Sequence, residues 1–133
     1  LKISFRTQGT GSYTTLADDT AGTLITGFVP RLAGLAQVTP LFRAANAQVL
    51  ARNNRSWQIS GTVETASATA AAAADFIRSQ AAAIPDFVDL KIEQDATALL
   101  LTPAVFVGFD PIINGVSTRI TYTFVGANLI TAP

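Results

Sequence analysis

One stretch of this chain reads as helix, and almost everything around it alternates. From Ser67 to Ala83 alanine dominates, and alanine has the highest helix propensity. Phe76 and Ile77 supply bulk, with Ala72, Ala73, Gln80 and Ile84 at nearby helical spacings. Ser67 or Thr69 can cap the N-terminus by accepting a backbone N–H, and Pro85 stands where the helix must stop. Before it, Trp57, Ile59, Gly61 and Val63 alternate with Gln58, Ser60, Thr62 and Glu64, the period of a half-buried strand. After it, Val88, Leu90 and Ile92 alternate with Asp89, Lys91 and Glu93. A lone helix between strands cannot build repeated βαβ units, so a doubly wound nucleotide-binding fold is disfavoured. The pattern predicts a mainly β chain: an antiparallel β-sandwich or partly closed barrel flanked by a single α-helix at about 67–83.

The remaining strands follow from the same period. Ile3 and Phe5 alternate with Lys2, Ser4 and Arg6, a turn is marked by Gly9, Gly11 and Ser12, and Tyr13 to Leu16 can pair back. Asp18-Asp19-Thr20 reads as a loop or short helical cap. Thr23 to Val29 predicts a strand ending at Pro30. Leu32, Leu35, Val38 and Leu41 are spaced at three, as on a short helix, but Gly34 and Pro40 oppose a long one. Thr97 to Leu101 and Ala104 to Phe109 continue the sheet around Pro103, which suggests a bulge or edge. Asp110-Pro111 and Asn114-Gly115 bracket Ile112-Ile113 in a turn-rich tip. Ser117 to Val125 is the last strand, with Ile120, Tyr122 and Phe124 on one face; Gly126 ends it, and 128–133 is a tail. With 133 residues the chain predicts a single domain, 1–133, with a long loop-rich segment at about 31–55 that holds one or two short strands.

Composition removes chemistries. There is no His and no Cys, so no Ser-His-Asp or Cys-His triad, zinc ribbon, Fe–S cluster or disulfide framework can be written. The usual general base and pH switch are missing as well. Nine Lys and Arg balance nine Asp and Glu, which leaves no basic field for nucleic acid. Charged residues are 14%, against about 25% in an average soluble domain. Hydrophobic residues are 49% and mean hydropathy is +0.37, yet no run is long and apolar enough to span a bilayer. High apolar content without a membrane segment points to surface covered by another chain. Alanine and threonine content inflating the score is the alternative. Leu1 to Arg6 alternates and lacks an apolar h-region, so it does not read as a signal peptide, and Leu1 itself does not read as a native start.

The candidate sites are few. Asp86, Asp89, Glu93 and Asp95 form an acidic stretch that could act as paired carboxylates or hold Ca2+, but the spacing fits no EF-hand. Asp89 and Glu93 fall on the solvent side of an alternating strand, so a solvated face is expected. Gly9-Thr10-Gly11-Ser12 looks like a phosphate loop only superficially, since no Lys follows and no helix opens from it. Tyr13, Trp57 and Tyr122 could stack on sugars or bases, with packing the favoured role. Arg43, Arg52 and Arg55 make a local basic stretch around Asn53 and Asn54, read as a solvated loop or a salt-bridging rim. The expectation is no catalytic, cofactor-binding or metal-binding residue, and no enzyme.

Three segments in one order carry a resemblance. They are Ser56-Trp57-Gln58-Ile59-Ser60-Gly61-Thr62-Val63-Glu64; the Ala-rich helix with Asp75-Phe76-Ile77-Arg78, leading through Ala83-Ile84-Pro85-Asp86 into Asp89-Leu90-Lys91-Ile92; and Gly115 to Gly126. This layout, from about Ser56 to Gly126, resembles small tail proteins of tailed bacteriophages, of the tail-tube and distal-tail type. The resemblance implies a structural virion protein in the tail, a subunit of a homo-oligomeric, usually hexameric ring at the tube or the tube-to-tip junction. It implies sheets joined edge to edge, with the 31–55 segment or the Ile112–Asn114 tip reaching onto neighbours. Partners would be further copies and neighbouring tail proteins, with DNA only as passing cargo and no membrane. Channels of that kind are commonly lined with acidic groups, and only Asp86, Asp89, Glu93 and Asp95 are clustered here. The alternatives are a carbohydrate-binding or adhesin-type β-sandwich, which needs an exposed aromatic platform, and a capsid decoration or head-completion protein.

Overall fold

A computed structural model describes residues 1–33, 36–40, 48–52 and 56–131. The strands in chain order are β1 (Lys2–Thr7), β2 (Thr14–Asp18), β3 (Leu24–Ala33), β4 (Ala36–Pro40), β5 (Gln48–Arg52) and β6 (Ser56–Ala66). Helix α1 (Ala70–Ala83) follows, then β7 (Phe87–Gln94), β8 (Thr97–Asn114) and β9 (Ser117–Thr131). Seven strands form one antiparallel sheet in the order β2-β1-β7-β8-β9-β6-β3, while β4 and β5 pair with each other. Of the two shapes expected, the partly closed barrel is found: the sheet curls into a half-barrel.

The curl has a local cause. The register slips in four strand pairs, and each β-bulge bends its strand and adds right-handed twist. One slip lets the adjacent Leu16 and Ala17 both be buried. A second leaves Phe28 as the extra residue of β3. Its φ is +58° beside Gly27 at +86°, and its ring covers the bare Cα of Gly61 on β6. A third sets Thr102-Pro103 of β8 against the single residue Asp89 of β7. The fourth makes Val107 the extra residue of β8.

One face of the curled sheet holds the core. Ile3, Phe5, Ile59, Val63, Val88, Leu90, Leu101, Ile120, Tyr122 and Phe124 are buried there, as their strand alternation dictates. An aromatic row fills its centre: Phe106 stacks on Phe124 at 5.3 Å, and Phe109 meets Tyr122 edge-on at 5.6 Å. α1 packs against β8 and β9. Its inward stripe is Ala73, Phe76 and Ile77, continued by Ile84, which is the helical period. Ala73 is fully buried, consistent with an alanine face that permits close approach. On the other face, hydroxyls pair across strands, Ser60 with Thr123 at 3.3 Å and Thr62 with Thr121 at 3.2 Å.

Several sequence expectations are corrected. β3 runs through Pro30 to Ala33; it is an edge strand, where a residue without an N–H is tolerated. Leu32 and Val38 lie in strands rather than on a helix, and Leu35 and Leu41 lie outside the described residues. β9 does not end at Gly126 but continues to Thr131, paired with β8. Gly126 sits mid-strand because a Cβ there would meet Leu101 Cγ at 2.5 Å. Ile112-Ile113 belongs to β8, and the turn is only Gly115-Val116, since Asn114 already pairs with Ser117. The helix starts at Ala70 with Thr69 as its cap, not Ser67. The Ser67 N–H instead donates to the Val116 carbonyl at 2.8 Å.

Candidate functional site

The acidic stretch does not converge. Asp86 is exposed in the connection after α1, and Asp95 is exposed at the β7–β8 turn with φ +55°. Glu93 is half-buried and takes a 2.7 Å ion pair from Lys91. That hydrogen bond, more than its partial burial, holds the Glu93 carboxyl below the usual range. Asp89 and Glu93 are four residues apart on one strand, a separation of about 13 Å at the strand rise. Among the described residues no group of three or more His, Cys, Asp or Glu is placed to hold a metal ion.

Asp89 departs most from expectation. It is buried rather than solvated, with a side chain 3% exposed. The Thr102-Pro103 bulge turns the β7–β8 pair at that point, and three donors close over the carboxylate. Thr102 Oγ1 donates at 2.6 Å, Arg6 Nε at 2.9 Å and the Gly9 N–H at 3.0 Å. Burial pushes the pKa up and is the largest single influence, but the bonds from Thr102, Gly9 and Arg6 together hold it below the ordinary value. The glycine turn at 9–12 therefore offers an N–H to a carboxylate of its own chain. The arrangement ties β1, the β1–β2 turn, β7 and β8 together; it is structural.

The three aromatic candidates make no common platform. Tyr122 is buried in the core, and burial pushes its phenol well up. Trp57 is half-buried and packs against the core. Tyr13 is half-buried under two cations, Arg6 at 4.8 Å and Lys91 at 5.0 Å from its ring centre. Of the basic stretch, Arg43 and Arg55 lie outside the described residues, and Arg52 is described only as the end of β5. No helix is long and apolar enough to cross a membrane among the described residues.

What the surface offers instead is apolar area beside strand edges. β2, at one edge of the sheet, is short and ends at Asp18, next to Asp19, a common way of blunting an edge. β3, at the other edge, exposes Leu24, Val29 and Leu32. β8 outruns β7, whose pairing stops at Val105. Beyond that point β8 pairs only with β9, which β6 flanks to Ser117, and exposes Val107, Ile112, Ile113 and, at the turn, Val116. The mouth of the half-barrel is a groove of about 430 Å3, where Phe28, Val29 and Pro30 of β3 face Leu1, Ile92 and Leu99. The bulge at Gly27-Phe28 shapes one wall. The sequence points to the tip but not to the groove, whose walls lie far apart along the chain.

No protein-family model and no curated protein matches the chain. Among solved structures it is similar to a chain from the tail of an empty GTA particle, determined by helical refinement with C6 symmetry. The similarity covers 100% of this chain and 96% of that one, at a TM-score of 0.52 and 19% sequence identity. The two chains share a fold over nearly their whole lengths.

Proposed function

We propose that this chain is a structural subunit of a phage-like virion tail, assembled as a homo-oligomeric, hexameric ring at the tube or the tube-to-tip junction. The observation that carries this reading is the whole-chain fold likeness to a chain of a C6 tail assembly. The surface supports it: apolar side chains are exposed beside the β3 edge and along the far half of β8, where burial against further copies gains most. The role is assembly, not catalysis, and DNA enters only as cargo passing along the channel.

The carbohydrate-binding alternative has less support, because Tyr122 is in the core and Trp57 and Tyr13 are half-buried. The reading is tested by electron microscopy of particles carrying this chain, with sedimentation of the purified protein alongside. Six copies in a ring within the tail are the expected result. Particles in which this chain forms no ring would end the proposal.

A further inference from the structure

The turn between β8 and β9 places Asn114 directly before Gly115. Gly115 has φ +64° and opens the two-residue turn Gly115-Val116, the position where a type II′ hairpin takes glycine. Both Asn114 and Gly115 are exposed, and a Cβ on Gly115 would meet nothing within 4 Å. The β8–β9 ladder ends at the Asn114–Ser117 pair, so the Gly115 N–H takes no part in it. On its other side β8 has no strand beside it beyond Val105. One residue pair therefore holds Asn114, and the ends of ladders open at little cost.

We propose that Asn114 is a site of spontaneous deamidation, in which the chain's own backbone is the reagent. Rotation about the Asn114 Cα–C bond brings the Gly115 nitrogen to the side-chain carbonyl carbon, Cγ. The nitrogen attacks and a C–N bond forms. The side-chain amide nitrogen leaves as ammonia, taking the Gly115 proton with it. The step is intramolecular, so proximity replaces a catalyst, and glycine puts no side chain in the way. Water then opens the five-membered imide at one carbonyl or the other, leaving aspartate or isoaspartate. Either product adds one negative charge in a pocket of about 160 Å3 that Asn114 shares with Glu64 and Arg119. There it competes with Glu64 for the Arg119 guanidinium. Isoaspartate also lengthens the main chain by one atom ahead of Val116, whose carbonyl accepts the Ser67 N–H at 2.8 Å. Modification of the turn thus loosens the link from β6 to α1. None of this depends on the ring reading.

The purified chain is incubated in mildly alkaline buffer and digested for peptide mass spectrometry, with isoaspartate counted by enzymatic methyl transfer. Asn128, the other asparagine among the described residues, is the internal control. It is exposed too, but it lies within β9 opposite Thr102 and precedes Leu129. A gain of one mass unit at Asn114, with both products present, is expected. Conversion there should run at least about tenfold faster than at Asn128, which is about 1.4 kcal/mol of barrier. Asn114→Gln, which would have to close a larger ring, should show no gain over the same time. No conversion of the folded chain overturns the proposal; if the urea-unfolded chain does convert, the hairpin locks the amide. Equal rates at Asn114 and Asn128 overturn it as well, as does aspartate without isoaspartate, which means direct hydrolysis. Hydrogen exchange at the Ser67 amide reads the coupling: faster exchange in the converted fraction is expected, and unchanged exchange overturns the link to α1.

Discussion

Thr102 Oγ1 donates a 2.6 Å hydrogen bond to Asp89 Oδ1 across the bulge that joins β8 to β7. The bulge places two residues, Thr102 and Pro103, against one, and this brings a hydroxyl to a carboxylate the strand pattern would leave in water. Arg6 and the Gly9 N–H complete the set from β1 and its turn.

Asp89→Ala leaves those three donors without their acceptor in a buried place. The expected cost is about 2–3 kcal/mol, below that of a fully buried pair because Arg6 keeps some contact with water. Asp89→Asn keeps an acceptor and costs less, and Thr102→Val falls between. Urea unfolding of the three variants checks the order. Equal midpoints for wild type and Asp89→Ala would remove the network from the account of stability.

The same carboxylate makes stability depend on acid. Its folded pKa lies below the unfolded value, so its contribution is complete above the unfolded pKa of about 4. That contribution is lost as pH falls through the lower folded pKa. Glu93, held down first by Lys91, and Asp18, held down first by the Thr20 hydroxyl, slope the same way. Thermal melts from pH 7 to pH 3 should therefore fall below about pH 4.5 in the wild type, and more shallowly in Asp89→Asn.

Gly61 is the floor on which the Phe28 ring lies, and a Cβ there would overlap that ring. Gly61→Ala is expected to cost about 1–3 kcal/mol, the range for overpacking a filled site. Phe28→Leu in the same chain should recover part of it, by emptying the space that the methyl needs. Melting the single and double variants measures the coupling; additive losses would show that the two positions do not meet.

The elements legible in the sequence are those whose alternation is uninterrupted. Trp57-Ile59-Gly61-Val63, Val88-Leu90-Ile92 and Ile120-Tyr122-Phe124 name their buried faces by period alone, and the alanine run names the helix. What is hidden lies at the bulges. Asp89 reads as solvent-facing by period, and only the extra residue at Thr102-Pro103, the Gly9 turn and a partner 83 positions away, Arg6, cover it on that face. Pro30 and Gly126 look like strand ends because their tertiary reasons, an outer edge and the packing of Leu101, are not local. The groove is illegible for the same reason: its walls come from β3 at one end of the sheet order and from β7 and β8 in its middle. The exposed hairpin is half legible. Its apolar residues stand out, but Asp110-Pro111 gives that part of the strand the look of a turn.

Thr69 rather than Ser67 closes the helix N-terminus, accepting the Ala72 N–H at 3.1 Å. Thr69→Ala should cost about 1 kcal/mol, and Thr69→Asp should hold or raise stability by favouring the positive end of the helix. Ser67→Ala should be close to neutral, since Ser67 contributes its backbone N–H to Val116. Denaturant midpoints for the three variants separate the two positions, and a larger loss at Ser67 would reverse the assignment.

Assembly of the proposed ring should behave as apolar burial rather than as charge pairing. The chain has nine cationic and nine anionic residues, so copies carry no net repulsion for salt to screen. The exposed surface available for contact includes Leu24, Val29, Val107, Ile112 and Ile113. Apolar burial weakens on cooling and strengthens in sulfate. Sedimentation velocity at a fixed protein concentration should therefore show more assembled material at 25 °C than near 4 °C. It should show more again in sulfate, with little change across moderate sodium chloride. Dissociation by moderate sodium chloride, with indifference to temperature, would mean that ion pairs hold the copies together instead.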